Sequence, residues 1–157
     1  MQSVRITSKL FDSFSAKQVN AMSGELARMH LQALGFEKVG RFVLASAHCA
    51  KIKPEHMKPE LSYGGWVYAW ATKDEVKYVG QTSQSNLFDR FKKDREGCYR
   101  PNRSKLLSHV IDELQHADEL DVWAISDEKV RQKTPHANLR RFESRLISEL
   151  SPEWSKR

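Results

Sequence analysis

WVYAWATKDEVKYVGQTSQSNLFDR, residues 66–90, decides how this chain is read. Residues 66–72 alternate, with Trp66, Tyr68 and Trp70 on one side and Val67, Ala69 and Ala71 on the other. That period of two is the mark of a strand. Residues 76–81 repeat the strand signal, and Lys73 and Asp74 supply a turn between the two. A three-residue loop over 72–74 sets Tyr68 directly opposite Tyr78 on one face. Gly80, near the end of the second strand, allows a close backbone approach. Ser83 or Ser85 can then open a helix over 86–96, with Leu87, Phe88 and Phe91 buried and Gly97 as its stop. Arg90 falls on that helix, beside the hairpin.

Working downstream, Leu106, Leu107, Val110, Ile111 and Leu114 form one apolar face of a helix reaching about residue 116. A strand follows at 120–125, a polar connection at 126–136, and a last helix at 137–150 that Pro152 forbids from extending. The order from Trp66 is β-β-α-α-β-α. The expected fold is α+β, a small three-stranded antiparallel sheet flanked by helices. Upstream, Val19, Met22, Leu26, Met29 and Ala33 give a helix over 15–34, and Gly35 ends it. Residues 36–47 read as a strand or short buried segment. Two prolines and alternating charge mark 51–60 as a linker or extended arm. The expected organisation is therefore an N-terminal extension over 1–61 and a second domain over 62–157.

A length of 157 residues suits one domain with an appendage. No apolar run approaches the roughly 18 residues of a membrane span, and the first residues lack the layout of a secretory signal. A cytoplasmic chain with no membrane partner is expected. Cys49 and Cys98 form no CxxC pair, which argues against a zinc knuckle and for two inert thiols in a reducing compartment. The net charge of +6 suggests a polyanionic partner. Much of it lies between residues 90 and 105, where Arg90, Lys92, Lys93, Arg95, Arg100, Arg103 and Lys105 face only Asp94 and Glu96. That stretch is either a solvated helix face or a surface that contacts phosphates.

Glu143 is the anomaly of the last helix. Leu139, Phe142, Leu146, Ile147 and Leu150 make an apolar stripe, and Glu143 lies inside or beside it. Burying an unpaired carboxylate costs several kcal/mol. Either Arg140, Arg141 or Arg145 pairs with it, or its hard oxygens hold a cation such as Mg²⁺. Arg90 can contact phosphate in bidentate fashion or serve as a surface charge. Tyr68 and Tyr78 are either core phenols with satisfied hydroxyls or proton carriers.

Taken together, these residues resemble the GIY-YIG nuclease family over residues 64–157. Trp66-Val67-Tyr68 stands where the first triplet belongs, and Tyr78-Val79-Gly80 matches the second. Arg90 fits the family arginine, and Glu143, within RRFESRLISEL, fits its metal-binding glutamate. Residues 150–155 look like the terminal segment. Three positions depart: Trp66 replaces the first glycine, Asp94 stands where a histidine or tyrosine is common, and Ser155 replaces an asparagine. The resemblance implies a metal-dependent DNA endonuclease of restriction or phage type. In it Glu143 holds Mg²⁺ or Mn²⁺, Tyr68 or Tyr78 is the general base, Arg90 stabilises the transition state and Ser155 orients the site. Lys73, Lys77, Lys92, Lys93, Arg100, Arg103 and Lys105 would contact the backbone of double-stranded DNA. The N-terminal region would supply target recognition or homodimer contacts. The competing expectation is a DNA-binding module that keeps the fold without catalysis.

Overall fold

The structure is a computed structural model describing residues 24–55, 65–72, 75–82, 87, 91, 93–101, 104–116, 120–133 and 138–155. Its centre is a five-stranded antiparallel sheet. The strands are β1 (Glu37–Ser46), β2 (Cys49–Pro54), β3 (Trp66–Ala71), β4 (Val76–Thr82) and β5 (Leu120–Ser126), ordered β2-β1-β5-β3-β4. The helices are α1 (Gly24–Leu34), α2 (Ser104–His116), α3 (Asp127–Lys133) and α4 (Leu139–Leu150), and a 3₁₀ turn follows at Glu153–Ser155. The α+β class is as expected. The three-stranded sheet is corrected to five, because β1 pairs with β5 and carries β2 on its outer edge.

The expected boundary at 61/62 falls between two strands of this one sheet, so residues 37–54 are not an appendage to it. Across the start of the stretch read as a linker, exposed Lys51 and Lys53 alternate with Ala50, just before it, and Ile52, both buried. Lysine on the outward side and Pro54 at the end are marks of an edge strand, where no further ladder bonds are needed. Of the helix expected over 15–34, residues before 24 lie outside the described residues.

The two faces of the sheet carry separate cores. On one, Trp66, Tyr68 and Trp70 of β3 pack with Val122 and Ala124 of β5 under Leu106 and Val110 of α2. Phe42, Phe91, Tyr99 and Trp154 complete that core. On the other, Val67, Ala69 and Val79 meet Leu31 of α1, Val130 of α3 and Leu139, Leu146 and Leu150 of α4. Buried Asp121 lies 3.8 Å from Arg28 of α1 and 3.4 Å from Lys38 of β1. Arg28 also donates to the Thr72 carbonyl, which ties α1 to the hairpin.

Helix α4 forms for local reasons. Asn138 accepts the Arg141 N–H at 2.9 Å as N-cap. Ser151 ends the helix in the left-handed region at φ 44°, its N–H donating to the Ile147 carbonyl. α3 occupies residues 127–133 of the connection read only as polar. The helix expected over 86–96 is corrected where it can be followed. Lys93 bridges Tyr99, and the Asp94 carboxylate accepts the N–H groups of Glu96 and Cys98 at 2.9 and 3.0 Å. With Gly97 at φ 83°, this side-chain-capped turn outcompetes a helix.

The cysteines are not free thiols. Cys49 of β2 and Cys98 of the turn form a disulfide, with Cα atoms 5.2 Å apart. The inert-thiol expectation is overturned, and with it the cysteine argument for a reducing compartment. No helix among the described residues is long and apolar enough to cross a membrane.

Candidate functional site

The β3–β4 hairpin sets the site. Its register pairs Tyr68 with Gly80 and Trp70 with Tyr78, so the expected direct pairing of the tyrosines is corrected. The reason is an irregularity between Trp70 and Ala71: Ala71 pairs with Val76, leaving Lys77 as an extra residue on β4. The partner of Tyr68 moves by two residues, from 78 to 80, and an even shift keeps both phenols on the same face. They are diagonal neighbours with ring centroids 6.1 Å apart.

The Tyr68 ring lies flat across Gly80. A Cβ built on Gly80 would sit 2.6 Å from both the Tyr68 Cζ and its hydroxyl oxygen. No side chain fits there while the ring stays in place, and the ring is held. Phe91 meets it edge-on with centroids 4.9 Å apart, and Trp70 stacks at 6.1 Å. The glycine of the second triplet is thus the seat for the tyrosine of the first. Tyr68 is 4% exposed, whereas Tyr78 is only half-buried, packed at 4.6 Å against Trp70.

Ser155 approaches from the C-terminus. The Val79 N–H donates to its Oγ at 2.9 Å, and that hydroxyl donates back to the Val79 carbonyl at 3.3 Å. It therefore clamps the edge strand between Tyr78 and Gly80, a positioning role. Lys77 strengthens the clamp. Its ammonium meets Glu75, Glu153 at 3.2 Å and Glu113 of α2 at 3.5 Å. Burial opposes the charge, but these carboxylates outweigh it and hold the Lys77 pKa above the ordinary lysine value. A lysine committed to three carboxylates is a lock for the chain end rather than the DNA contact expected of it.

Glu143 is half-buried on α4, beside Phe142, whose ring stacks on Phe36 at 6.0 Å. Its helix covers the face of the sheet opposite Tyr68 and Tyr78. The elements meet at the β4 edge, which α4 overlies and which the Ser155 segment wraps. A carboxylate here has the donor chemistry that Mg²⁺ or Mn²⁺ requires. Among the described residues, no three His, Cys, Asp or Glu side chains group as a metal cage.

Asp94 is a structural residue. Backbone N–H groups, that of Cys98 foremost, hold its pKa below the usual carboxylate value, and Arg100 pairs with it at 3.1 Å. Lys93, Arg100 and Lys105 are exposed. Arg90, Lys73, Lys92 and Arg103 lie outside the described residues. Sequence reasoning missed Phe91 as the wall behind Tyr68, and Trp154, which packs on Trp70 and stacks with His109 at 5.4 Å. An apolar Phe next to Arg90 and a Trp after Pro152 were the available signals.

No protein-family profile, curated protein or solved structure matches this chain.

Proposed function

We propose that the chain is a metal-dependent DNA endonuclease resembling the GIY-YIG nucleases. The observation that carries this reading is the seating of the Tyr68 phenol on Gly80 beside Tyr78. It gives the two short triplets a shared geometric purpose at the β4 edge of the sheet. Tyr68 is assigned the proton of the attacking water and Tyr78, the more exposed phenol, its orientation. Arg90 neutralises charge on the phosphate as the bond breaks. Glu143 would hold one Mg²⁺ or Mn²⁺, which when bound polarises the scissile phosphate and eases departure of the 3′ oxygen. Ser155 and Lys77 hold β4 in register. Lys93, Arg100 and Lys105 contact the duplex backbone and carry no sequence information of their own.

One observation favours a second reading, a DNA-binding module without catalysis. α4, which carries Glu143, lies on the sheet face opposite the tyrosines. Catalysis requires the glutamate to act around the β4 edge. Supercoiled plasmid incubated with Mg²⁺ or Mn²⁺ separates the two readings. The nuclease reading expects conversion to nicked or linear forms by the native chain, and loss of conversion in Glu143→Ala and Arg90→Ala. A native chain that binds plasmid but leaves it intact with both metals establishes the second reading.

A further inference from the structure

Four cations stand at the outer rim of the sheet, in two pairs separated by 40 positions of the chain. Lys51 and Lys53 project from the exposed side of β2, and Lys93 and Arg95 flank the Asp94 turn. Two of the neighbouring carboxylates are engaged elsewhere. Asp94 pairs with Arg100 at 3.1 Å, and Glu55 with Lys38 at 3.4 Å and Arg41 at 3.8 Å. Glu96 is the remaining acidic residue of the turn.

Chance solvation accounts for one lysine run, but this rim is assembled. The Cys49–Cys98 disulfide joins its halves across 49 positions. The Tyr99 N–H donates to the Ala50 carbonyl at 2.8 Å. The Lys51 stem passes over the turn, its Cε 3.9 Å from where a Gly97 Cβ would lie. From the turn the segment runs back to Phe91, which touches Tyr68. β2 lies three strand spacings from β3, about 14 Å, close to the roughly 12 Å width of a DNA major groove.

We propose that this rim binds the phosphate backbone of duplex DNA, with β2 and the 93–100 turn acting as one surface stapled by the disulfide. The inference rests on the DNA reading above and adds the N-terminal strand to it. Phosphate neutralisation by a lysine releases counterions, so each contact steepens the salt dependence of binding by about 0.9.

The test is binding of the full chain to a fluorescent random-sequence duplex in EDTA, where no cleavage intervenes, over a KCl series. Lys51→Ala/Lys53→Ala is expected to bind more weakly, with a slope of log K against log salt shallower by about 1.8. Arg131→Ala, exposed on α3, is expected to keep the native slope. Dithiothreitol breaks the Sγ–Sγ bond; each sulfur gains an electron and a proton, and the dithiol closes to its own disulfide. Binding by the reduced chain is expected to move toward that of the double variant. A double variant with native slope and affinity overturns the proposal while leaving the DNA reading standing. A reduced chain with the oxidised slope overturns the stapling. A native chain that binds no duplex overturns this proposal together with the reading beneath it.

Discussion

Gly80 and Tyr68 depend on each other. Alanine at Gly80 would place its methyl 2.6 Å from the phenol, inside any tolerable contact. Phe91 and Trp70 leave the ring no easy retreat. Gly80→Ala is therefore expected to cost about 1–3 kcal/mol of stability, the range for overpacking, read as a lower urea midpoint. In a Tyr68→Ala background the same substitution should cost much less, since the clash partner is gone. The sequence indicated that something approaches Gly80 closely. It did not indicate Tyr68, because the register turns on an extra residue at Lys77. That irregularity is stabilised by Glu113 and Glu153, carboxylates distant in the chain.

At the level of elements, β3, β4, α2, β5 and α4 were legible because their apolar spacing is strong and local. β2 was not, since an edge strand with alternating lysines and a terminal proline has the composition of a linker. The turn at 93–99 was misread for a different reason. Phe88 and Phe91 fit a helical face, and only the Asp94 carboxylate and the Cys49 bond, both acting through tertiary geometry, select a turn instead. The disulfide closes a long loop, so its removal frees much unfolded-state entropy. Cys49→Ser/Cys98→Ser is expected to lower stability by about 4 kcal/mol, measured by urea unfolding of the oxidised native chain beside the variant.

Across the whole molecule, helices cover both sheet faces, and α1 and α4 share one of them. His30 of α1 is buried and lies 3.7 Å from Glu149 of α4. Burial pushes its pKa below 6.5, the pull of Glu149 notwithstanding. In that window the unfolded chain binds more protons than the folded one, so stability rises with pH. Thermal melts are expected to show stability falling as pH drops through 6.5, and His30→Gln should flatten that fall. The division of the faces also explains what was legible of the site. The shared face of the hairpin tyrosines follows from local alternation and Ser155 only from the resemblance, whereas the side of the sheet on which α4 settles depends on core packing by Leu146 and Leu150.

The central claim is that the Tyr68 phenol seated on Gly80 takes part in hydrolysis. Tyr68→Phe preserves the ring and removes only the hydroxyl. Plasmid nicking with Mg²⁺ by Tyr68→Phe is the direct test, with Tyr78→Phe alongside and duplex binding in EDTA as the control. Tyr68→Phe is expected to bind natively and to cleave more slowly by about 10²- to 10⁴-fold, the usual contribution of a general base, with a smaller loss for Tyr78→Phe. Cleavage by Tyr68→Phe at the native rate would contradict that claim.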